Sequence, residues 1–262
     1  MNWKNFFKTI SVMWGTFLFY KLVTLILLYT IPNLQSKPYY EVIYFIIVIG
    51  ISGVIIYLTK KLFNIKINFS LKITDFKHNF LIFIVPFILF GIDFIGGLAD
   101  VFKQPAYLII VSFASALGAG IFEEIRDRGF GTIGFSMSIP NSKWKPLIIA
   151  GCTSFLFCTT HYLNLLMPIA PSFEAVQQQV FFTFFLGMVL SVLTMRTGTV
   201  FYAILFHSIN NLSPWTPTSD LSSVSSWSNL LIIYGLIPLV YSLWCLRPNK
   251  VNLGMIVKKD NY

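Results

Sequence analysis

Five charged residues stand together in a long stretch of the sequence that otherwise carries no charge. They are Glu123, Glu124, Arg126, Asp127 and Arg128. The residues before them, 107–122, are apolar or small apart from two serines, and residues 129–139 after them are again uncharged. Charged groups in an apolar environment are costly and usually serve a function. An ordinary charged helix end is the plainer interpretation, but the apolar continuation counts against it.

Three further polar residues lie in later apolar stretches, at positions that suit a shared site. They are His161, His207 and Asn211, and the last two are four residues apart, so they lie on one face of a helix. Glu124 and Arg128 have the same spacing and can form an ion pair. Carboxylates and imidazoles are common general acids and bases in enzymes. A single histidine or asparagine in an apolar helix can equally be a hydrogen bonder between helices, so each residue alone indicates little.

The composition requires lipid as the surroundings of this chain. Hydrophobic residues make up 56% and charged residues 11% of the 262 residues, whereas soluble domains carry about 25% charged residues. Most apolar stretches are near the ~20 residues that cross a bilayer as a helix, and they are too long and continuous for barrel strands. We therefore predict an all-α fold, a polytopic transmembrane bundle of about eight helices forming one membrane domain, 1–262. The predicted helices are residues 10–31, 40–58, 80–99, 106–136, 146–163, 180–195, 200–212 and 230–246, of which the fourth is too long and the seventh short.

Positive charges are distributed unequally between the predicted loops. If both termini lie on one side, fourteen Lys and Arg residues fall on that side, and only Lys37 and Lys103 fall on the other. The positive-inside rule then predicts a cell-membrane protein with cytoplasmic termini and a basic cytoplasmic loop at residues 60–78. The net charge of +9 is explained by this asymmetry beside anionic lipid, so nucleic acid is not an expected partner. The fourteen residues are Lys4, Lys8, Lys60, Lys61, Lys66, Lys72, Lys77, Lys143, Lys145, Arg196, Arg247, Lys250, Lys258 and Lys259.

The depth of the polar residues in the bilayer links three of the predicted helices. Glu123 lies about 20 Å from the cytoplasmic end of its helix at 1.5 Å per residue. The same measure gives about 24 Å for His161, about 17 Å for His207 and about 23 Å for Asn211. Four polar groups from three helices therefore fall at similar depth, which predicts that they meet in one pocket below the lipid headgroups.

The order and spacing of these residues resemble the three motifs of a known family. Glu123-Glu124-xxx-Arg128, Phe157-xxx-His161 and His207-xxx-Asn211 are similar to the motifs of the CPBP family, also called the Abi or CAAX protease family. Its members are intramembrane proteases that resemble the Ras-converting CAAX endopeptidase. The resemblance covers about residues 112–212. It implies a catalytic core at 105–212, preceded by N-terminal helices at 1–100 and followed by a final helix at 229–246.

The resemblance implies a glutamate-dependent endopeptidase that works within the membrane. Glu123 would be the general base and His161 would hold the attacking water. His207 and Asn211 would donate to the developing oxyanion. Glu124 would pair with Arg128 in a supporting role.

The sequence departs from the family pattern between the glutamate pair and the arginine. Family members usually have apolar residues there, often ending in Phe, whereas this chain has Ile125, Arg126 and Asp127. The two extra charges could form a local ion pair or alter the site.

A metal-dependent alternative stays open, since Glu123, His161 and His207 are acceptable zinc ligands. The sequence lacks the HExxH pattern of many zinc proteases. What the resemblance implies is a water held directly by Glu and His, so no cofactor is expected and zinc is the alternative.

The biological role is open between three classes of protein. The first is an intramembrane endopeptidase. Enrichment in Phe, Ile, Lys and Asn points to an AT-rich bacterium, so the substrate of such a protease would be a bacterial peptide or membrane protein. The second class is a bacteriocin self-immunity or regulatory membrane protein that acts with or without proteolysis. A small transporter or channel is the third, and the lack of an internal repeat in the sequence counts against it.

Overall fold

The computed structural model describes residues 1–71, 80–216, 224–248, 251 and 253, with the side chains of residues 90, 92 and 93 excepted. These residues form helices joined by short loops, and they contain no β-strand. The predicted all-α bundle is therefore confirmed. This outcome follows from the apolar surroundings, because a helix satisfies its own backbone hydrogen bonds.

Eight helical segments occupy the positions that the hydropathy pattern predicts. In chain order they are α1 (Trp3–Thr30), α2 (Tyr39–Phe63), α3 (Phe80–Leu89 and Phe94–Phe102), α4 (Ala106–Ser138), α5 (Lys145–Leu166), α6 (Phe173–Thr197), α7 (Phe201–Asn211) and α8 (Trp227–Cys245).

Six of the eight segments are long and apolar enough to cross a membrane by themselves. The third, α3, is bent by 60° at its break and gives a seventh crossing only if its two pieces count as one span. The seventh segment, α7, has 11 residues and extends roughly 16 Å at 1.5 Å per residue. A bilayer core is about 30 Å thick, so α7 reaches only part of the way across. The apolar stretch at 200–212 is thus a short helix, of which Ala203, Phe206, His207 and Ser208 are buried.

The charged run at 123–128 does not end a helix. The helix α4 continues through it from Ala106 to Ser138, over 33 residues. The middle of α4, Ile125–Gly131, is a π-helical segment, and each of its residues is buried. A π-segment widens the helix by one residue per turn and is often found at functional sites. The interpretation of these charges as an ordinary helix end is therefore wrong.

Close helix contacts enclose this charged centre of α4. A side chain at Gly134 would meet the Thr9 hydroxyl of α1 and would lie 2.9 Å from the Thr9 Cβ atom. At Gly120 it would meet the Ser208 hydroxyl of α7 and lie 3.1 Å from the Ser208 backbone nitrogen. Small residues allow membrane helices to approach this closely. These close contacts pack α4 against α1 on one side of the charged segment and against α7 on the other.

Hydrogen bonds to backbone carbonyls connect the loops at one end of the bundle. We call this end the basic end, and it comprises residues 1–8, 60–71, 138–145, 196–200 and 245–247. The amide of Asn2 donates to the Ser138 carbonyl at 2.8 Å, and the amide of Val200 donates to the Asn68 carbonyl at 3.0 Å. Arg196 donates to the Cys245 carbonyl at 3.2 Å. Nine of the predicted cytoplasmic cations lie at the basic end: Lys4, Lys8, Lys60, Lys61, Lys66, Lys143, Lys145, Arg196 and Arg247.

The remaining loops meet at the other end, which we call the far end (residues 31–38, 103–105, 164–172 and 212–216). Gln35 donates to the Ile169 carbonyl at 3.4 Å, and Gln104 donates to the Trp215 carbonyl at 2.7 Å. Lys37 and Lys103 lie at this end. Five predicted cytoplasmic cations lie outside the described residues, as does part of the predicted basic loop (residues 72–79): Lys72, Lys77, Lys250, Lys258 and Lys259.

Candidate active site

A cavity of about 260 Å³ lies between α1, α4, α5, α6 and α7. Four of the six site residues predicted from the sequence line it, namely Glu123, His161, His207 and Asn211. The remaining two, Glu124 and Arg128, are fully buried behind it. The other lining residues are Phe17, Tyr20, Lys21, Phe157, Asn164, Gln179, Phe182, Thr183, Leu186 and Asn210. The structure therefore brings the predicted polar groups of three helices together around one space.

Glu124 is the centre of a buried network behind the cavity. Its Oε1 atom lies 3.0 Å from a terminal nitrogen of Arg128, so the ion pair predicted from the i,i+4 spacing is confirmed. The same oxygen lies 2.7 Å from Nδ1 of His207. A carboxylate paired with a guanidinium can only accept hydrogen bonds, so Nδ1 of His207 donates. This network joins α4 to α7 and fixes the orientation of the imidazole ring.

Glu123 points into the cavity, where its side chain is 15% exposed. Its neighbour Glu124 points away, because successive residues of a helix are about 100° apart. The Oε2 atom of Glu123 lies 3.5 Å from Nε2 of His207. The His207 ring therefore lies between two carboxylates, one facing each nitrogen. Two adjacent glutamates thus have different tasks, one in the buried network and one at the open face.

His161 reaches the cavity because α5 changes its winding at this residue. The α-helical part of α5 ends at Thr160, and His161–Leu166 continues as a 3₁₀-helix. The imidazole packs edge-on against Phe157, with 5.2 Å between the ring centroids. Its Nε2 atom is buried and has no hydrogen-bond partner among the residues that the structure describes. This nitrogen is thus available to a small polar ligand in the cavity.

Phe157 holds the imidazole and guanidinium groups apart. Its ring packs edge-on against His207 at 5.8 Å as well as against His161. The guanidinium carbon of Arg128 lies 4.7 Å from the centre of the same ring, a cation–π contact. The aromatic residue of the Phe157-xxx-His161 motif is therefore a spacer that three polar side chains share.

Asn211 and Asn210 form the end of α7 beside the cavity. The Asn210 amide donates to the side-chain oxygen of Asn211 at 3.2 Å. This contact occupies the acceptor of the Asn211 side chain. The NH₂ group of Asn211 remains as a donor at the cavity wall.

The two unusual charges in the glutamate motif form a local ion pair. Arg126 donates to both carboxylate oxygens of Asp127, at 2.8 and 2.7 Å. Its guanidinium also stacks against Phe17 at 4.8 Å and Phe122 at 5.3 Å. Neither Arg126 nor Asp127 lines the cavity. The local ion pair expected from the sequence is present in the structure.

Six polar residues of the cavity wall were not identified as site residues from the sequence: Tyr20, Lys21, Asn164, Gln179, Thr183 and Asn210. Asn164 follows the predicted end of the fifth helix at residue 163, and Gln179 precedes the predicted start of the sixth at residue 180, so both resemble loop residues. Lys21 has a detectable signal, since it is a lone charge within the first apolar stretch.

The polar groups do not form a convincing metal site. Within the described ranges, no three His, Cys, Asp or Glu side chains are arranged to hold a metal ion. Nδ1 of His207 bonds to Glu124, and Nε2 faces the Glu123 carboxylate at 3.5 Å. A zinc-bound histidine often has its other nitrogen on a carboxylate in this way. The zinc alternative therefore lacks only a preformed set of three such ligands among the described residues, and no reaction step is assigned to a metal.

Comparison with known proteins agrees with the motif assignment. Residues 105–213 match the protein-family model of the type II CAAX prenyl endopeptidase Rce1-like proteins. The match begins just before α4 and ends just after α7, so it includes the glutamate and both histidines of the cavity. No curated protein and no solved structure matches the chain significantly.

The buried network predicts that the fold depends strongly on the Glu124 carboxylate. Glu124→Gln leaves the Arg128 charge with a single carboxylate, Asp127, at 3.7 Å. We expect a loss of about 3–5 kcal/mol in the free energy of unfolding, as for other broken buried ion pairs. SDS titration of the detergent-solubilised protein measures it.

Glu174→Gln is the matched control, because Glu174 is exposed in the first turn of α6. We expect this variant to stay within about 0.5 kcal/mol of the wild type. An equally small change for Glu124→Gln would contradict the supporting role of Glu124.

Proposed function

We propose that this chain, whose residues 105–213 match the Rce1-like family model, is a CAAX-type protease that hydrolyses a peptide bond inside the membrane. The observation that supports this proposal most strongly is the shared cavity. Glu123, His161, His207 and Asn211 come from three helices and line one space of about 260 Å³. Peptide hydrolysis needs a base for water and donors for an oxyanion, and this set contains both.

The reaction begins with a water held between the Glu123 carboxylate and Nε2 of His161. Glu123 takes a proton from the water while the oxygen of the water attacks the carbonyl carbon of the peptide. The carbonyl π electrons move to the oxygen, which becomes an oxyanion. Protonated Glu123 then returns the proton to the leaving nitrogen as the C–N bond breaks. The products are a carboxylic acid and an amine, and Glu123 is restored.

The oxyanion is stabilised by the NH₂ group of Asn211 and by His207. Since Nδ1 of His207 donates to Glu124, a second donation from Nε2 requires a doubly protonated ring. The two carboxylates that face this ring, Glu124 and Glu123, suit such a cation. Removing one oxyanion donor typically slows an enzyme about 10²–10³-fold. Arg128 contributes indirectly, because it holds Glu124 in place.

The Arg126–Asp127 pair gives no support to a purely non-catalytic immunity protein. Arg126 and Asp127 pair with each other outside the cavity lining, and they act on Glu123 and His161 only electrostatically, without entering the proposed site. We therefore propose that a bacterial peptide or membrane protein is the substrate. A cavity of about 260 Å³ lies just below the ~300–1,000 Å³ of typical ligand pockets, so it accepts a short stretch of chain.

We further propose that the basic end faces the cytoplasm, in accordance with the positive-inside rule. The cavity then lies towards the extracytoplasmic side, because its wall is formed near helix ends remote from the basic end. Asn211 is the last residue of α7, and His161 and Asn164 belong to the final 3₁₀ turns of α5. A substrate would thus reach Glu123 from the far end.

The first test of this function is hydrolysis by the purified protein. We expect the wild type to cleave a random peptide library in nanodiscs and Glu123→Gln to abolish this cleavage, because the amide cannot take a proton from water. Asn211→Ala should slow cleavage about 10²–10³-fold through loss of one oxyanion donor. Mass spectrometry of the products measures both effects.

The exposed Glu174→Gln variant again provides the control and should cleave at the wild-type rate. Cleavage by Glu123→Gln at that same rate would refute the assignment of the base, and the hydrolytic function with it.

The second test concerns the orientation of the chain. Lys37→Cys places an exposed thiol at the far end, and Ser142→Cys places one at the basic end. We expect a membrane-impermeant maleimide to label the first variant in intact spheroplasts and the second only after permeabilisation. The wild type is the background control, since Cys158 and Cys245 are buried and Cys152 is half-buried. The reverse labelling pattern would overturn the proposed orientation.

A further inference from the structure

Lys21 places a buried positive charge at the cavity wall. The residue lies in α1, outside the segment that matches the protease family, and it is 5% exposed. Its ammonium group lies 3.0 Å from the side-chain oxygen of Asn164 and 3.5 Å from the sulfur of Met167. Both partners are uncharged. Within the described part of the chain, no carboxylate lies within 4 Å of this ammonium.

A buried charge that no opposite charge contacts has a large energetic cost. Glu123 lines the same cavity and attracts the ammonium, but only from beyond 4 Å. Burial of an ammonium without a contacting opposite charge is unfavourable, and ionisable residues inside membrane helices usually mark a substrate or ion site. An ammonium carries three N–H donors. Asn164 and Met167 take two of them, so a third remains for a ligand in the cavity.

Two successive hydrogen bonds also hold the ammonium in place. The Asn164 amide donates to the side-chain oxygen of Gln179 at 3.1 Å. Lys21, Asn164 and Gln179 therefore link α1, α5 and α6, and all three line the cavity. Side chains of three helices thus position Lys21. This arrangement indicates a preorganised binding site and not a lysine that is buried only by chance.

We propose that Lys21 binds a carboxylate of the peptide substrate and so sets the position of the cleaved bond relative to Glu123. This inference rests on the proposed function. A single ammonium balances the single negative charge of a carboxylate, whereas a phosphate dianion carries twice that charge and would be repelled more strongly by the Glu123 carboxylate in the same cavity. The carboxylate can be that of the peptide's C-terminus or that of an internal Asp or Glu. Because the cavity is small, cleavage occurs close to this carboxylate in the chain.

Three peptide pools of random sequence separate these sources. The first lacks Asp and Glu and has a free C-terminus, the second is identical but amidated, and the third is amidated with one internal Glu. The full-length Glu123→Gln protein in nanodiscs retains bound peptides without cleaving them, and mass spectrometry compares the pools. Hydrogen bonds to charged groups contribute about 1.5–3 kcal/mol. We therefore expect about tenfold or greater enrichment of the first or the third pool over the second.

The Lys21→Met change in the same protein should abolish this enrichment, since Met has a similar length and no charge. Enrichment in the first pool assigns the C-terminal carboxylate, and enrichment in the third pool alone assigns an acidic side chain. Equal retention of all pools by the protein that carries Lys21 overturns the proposal, and that comparison needs no folded Lys21 variant. Enrichment that persists in Lys21→Met overturns it as well.

Hydrolysis by proteins with an intact Glu123 distinguishes this inference from the proposed function. Lys21→Met should raise the KM for carboxylate-bearing peptides about tenfold more than the KM for amidated peptides. An equal loss for both would mean that Lys21 acts on Glu123 and not on the substrate. If Glu123-dependent cleavage proceeds equally well with carboxylate-bearing and amidated peptides, the peptidase function is supported and only the role of Lys21 is refuted.

Discussion

The structure depends on how one carboxylate deep in an apolar bundle is neutralised. Glu124 has no access to water, and its Oε1 atom is shared by Arg128 of the same helix and His207 of α7. In hydrocarbon an unpaired charge of this kind is very costly. The two contacts therefore fix both the register of α4 against α7 and the orientation of the histidine ring. The short helix α7 is attached to the bundle at this point.

The geometry of the cavity follows from that contact. Once Glu124 faces His207, helical geometry turns Glu123 about 100° away, towards the space between α1, α5 and α6. The ring of Phe157 separates His161 from His207 and keeps both imidazoles at the cavity wall. The supporting and the reactive glutamate are thus distinguished by their direction alone, although they are adjacent in the sequence.

Much of this arrangement could be predicted from the sequence, and the remainder depends on tertiary contacts. Hydropathy indicated all eight helical segments, but not the 60° bend of α3 or the first turns of α1 and α6. The i,i+4 spacing predicted the Glu124–Arg128 pair. The π-helical widening at Ile125–Gly131 could not be predicted, because it depends on packing against neighbouring helices. Asn164 and Gln179 were missed since both lie at helix ends, where hydropathy is weakest. The catalytic roles of the cavity residues stay a prediction.

The coupling between Glu124 and His207 tests the central claim most directly. A double-mutant cycle compares the unfolding free energies of Glu124→Gln, His207→Gln and the double variant in detergent. Residues in contact within one buried network couple by about 0.5–3 kcal/mol, so the double variant should be less destabilised than the sum of the single variants. Additive effects would mean that the two side chains do not interact, and the cavity built upon their contact would then be wrong.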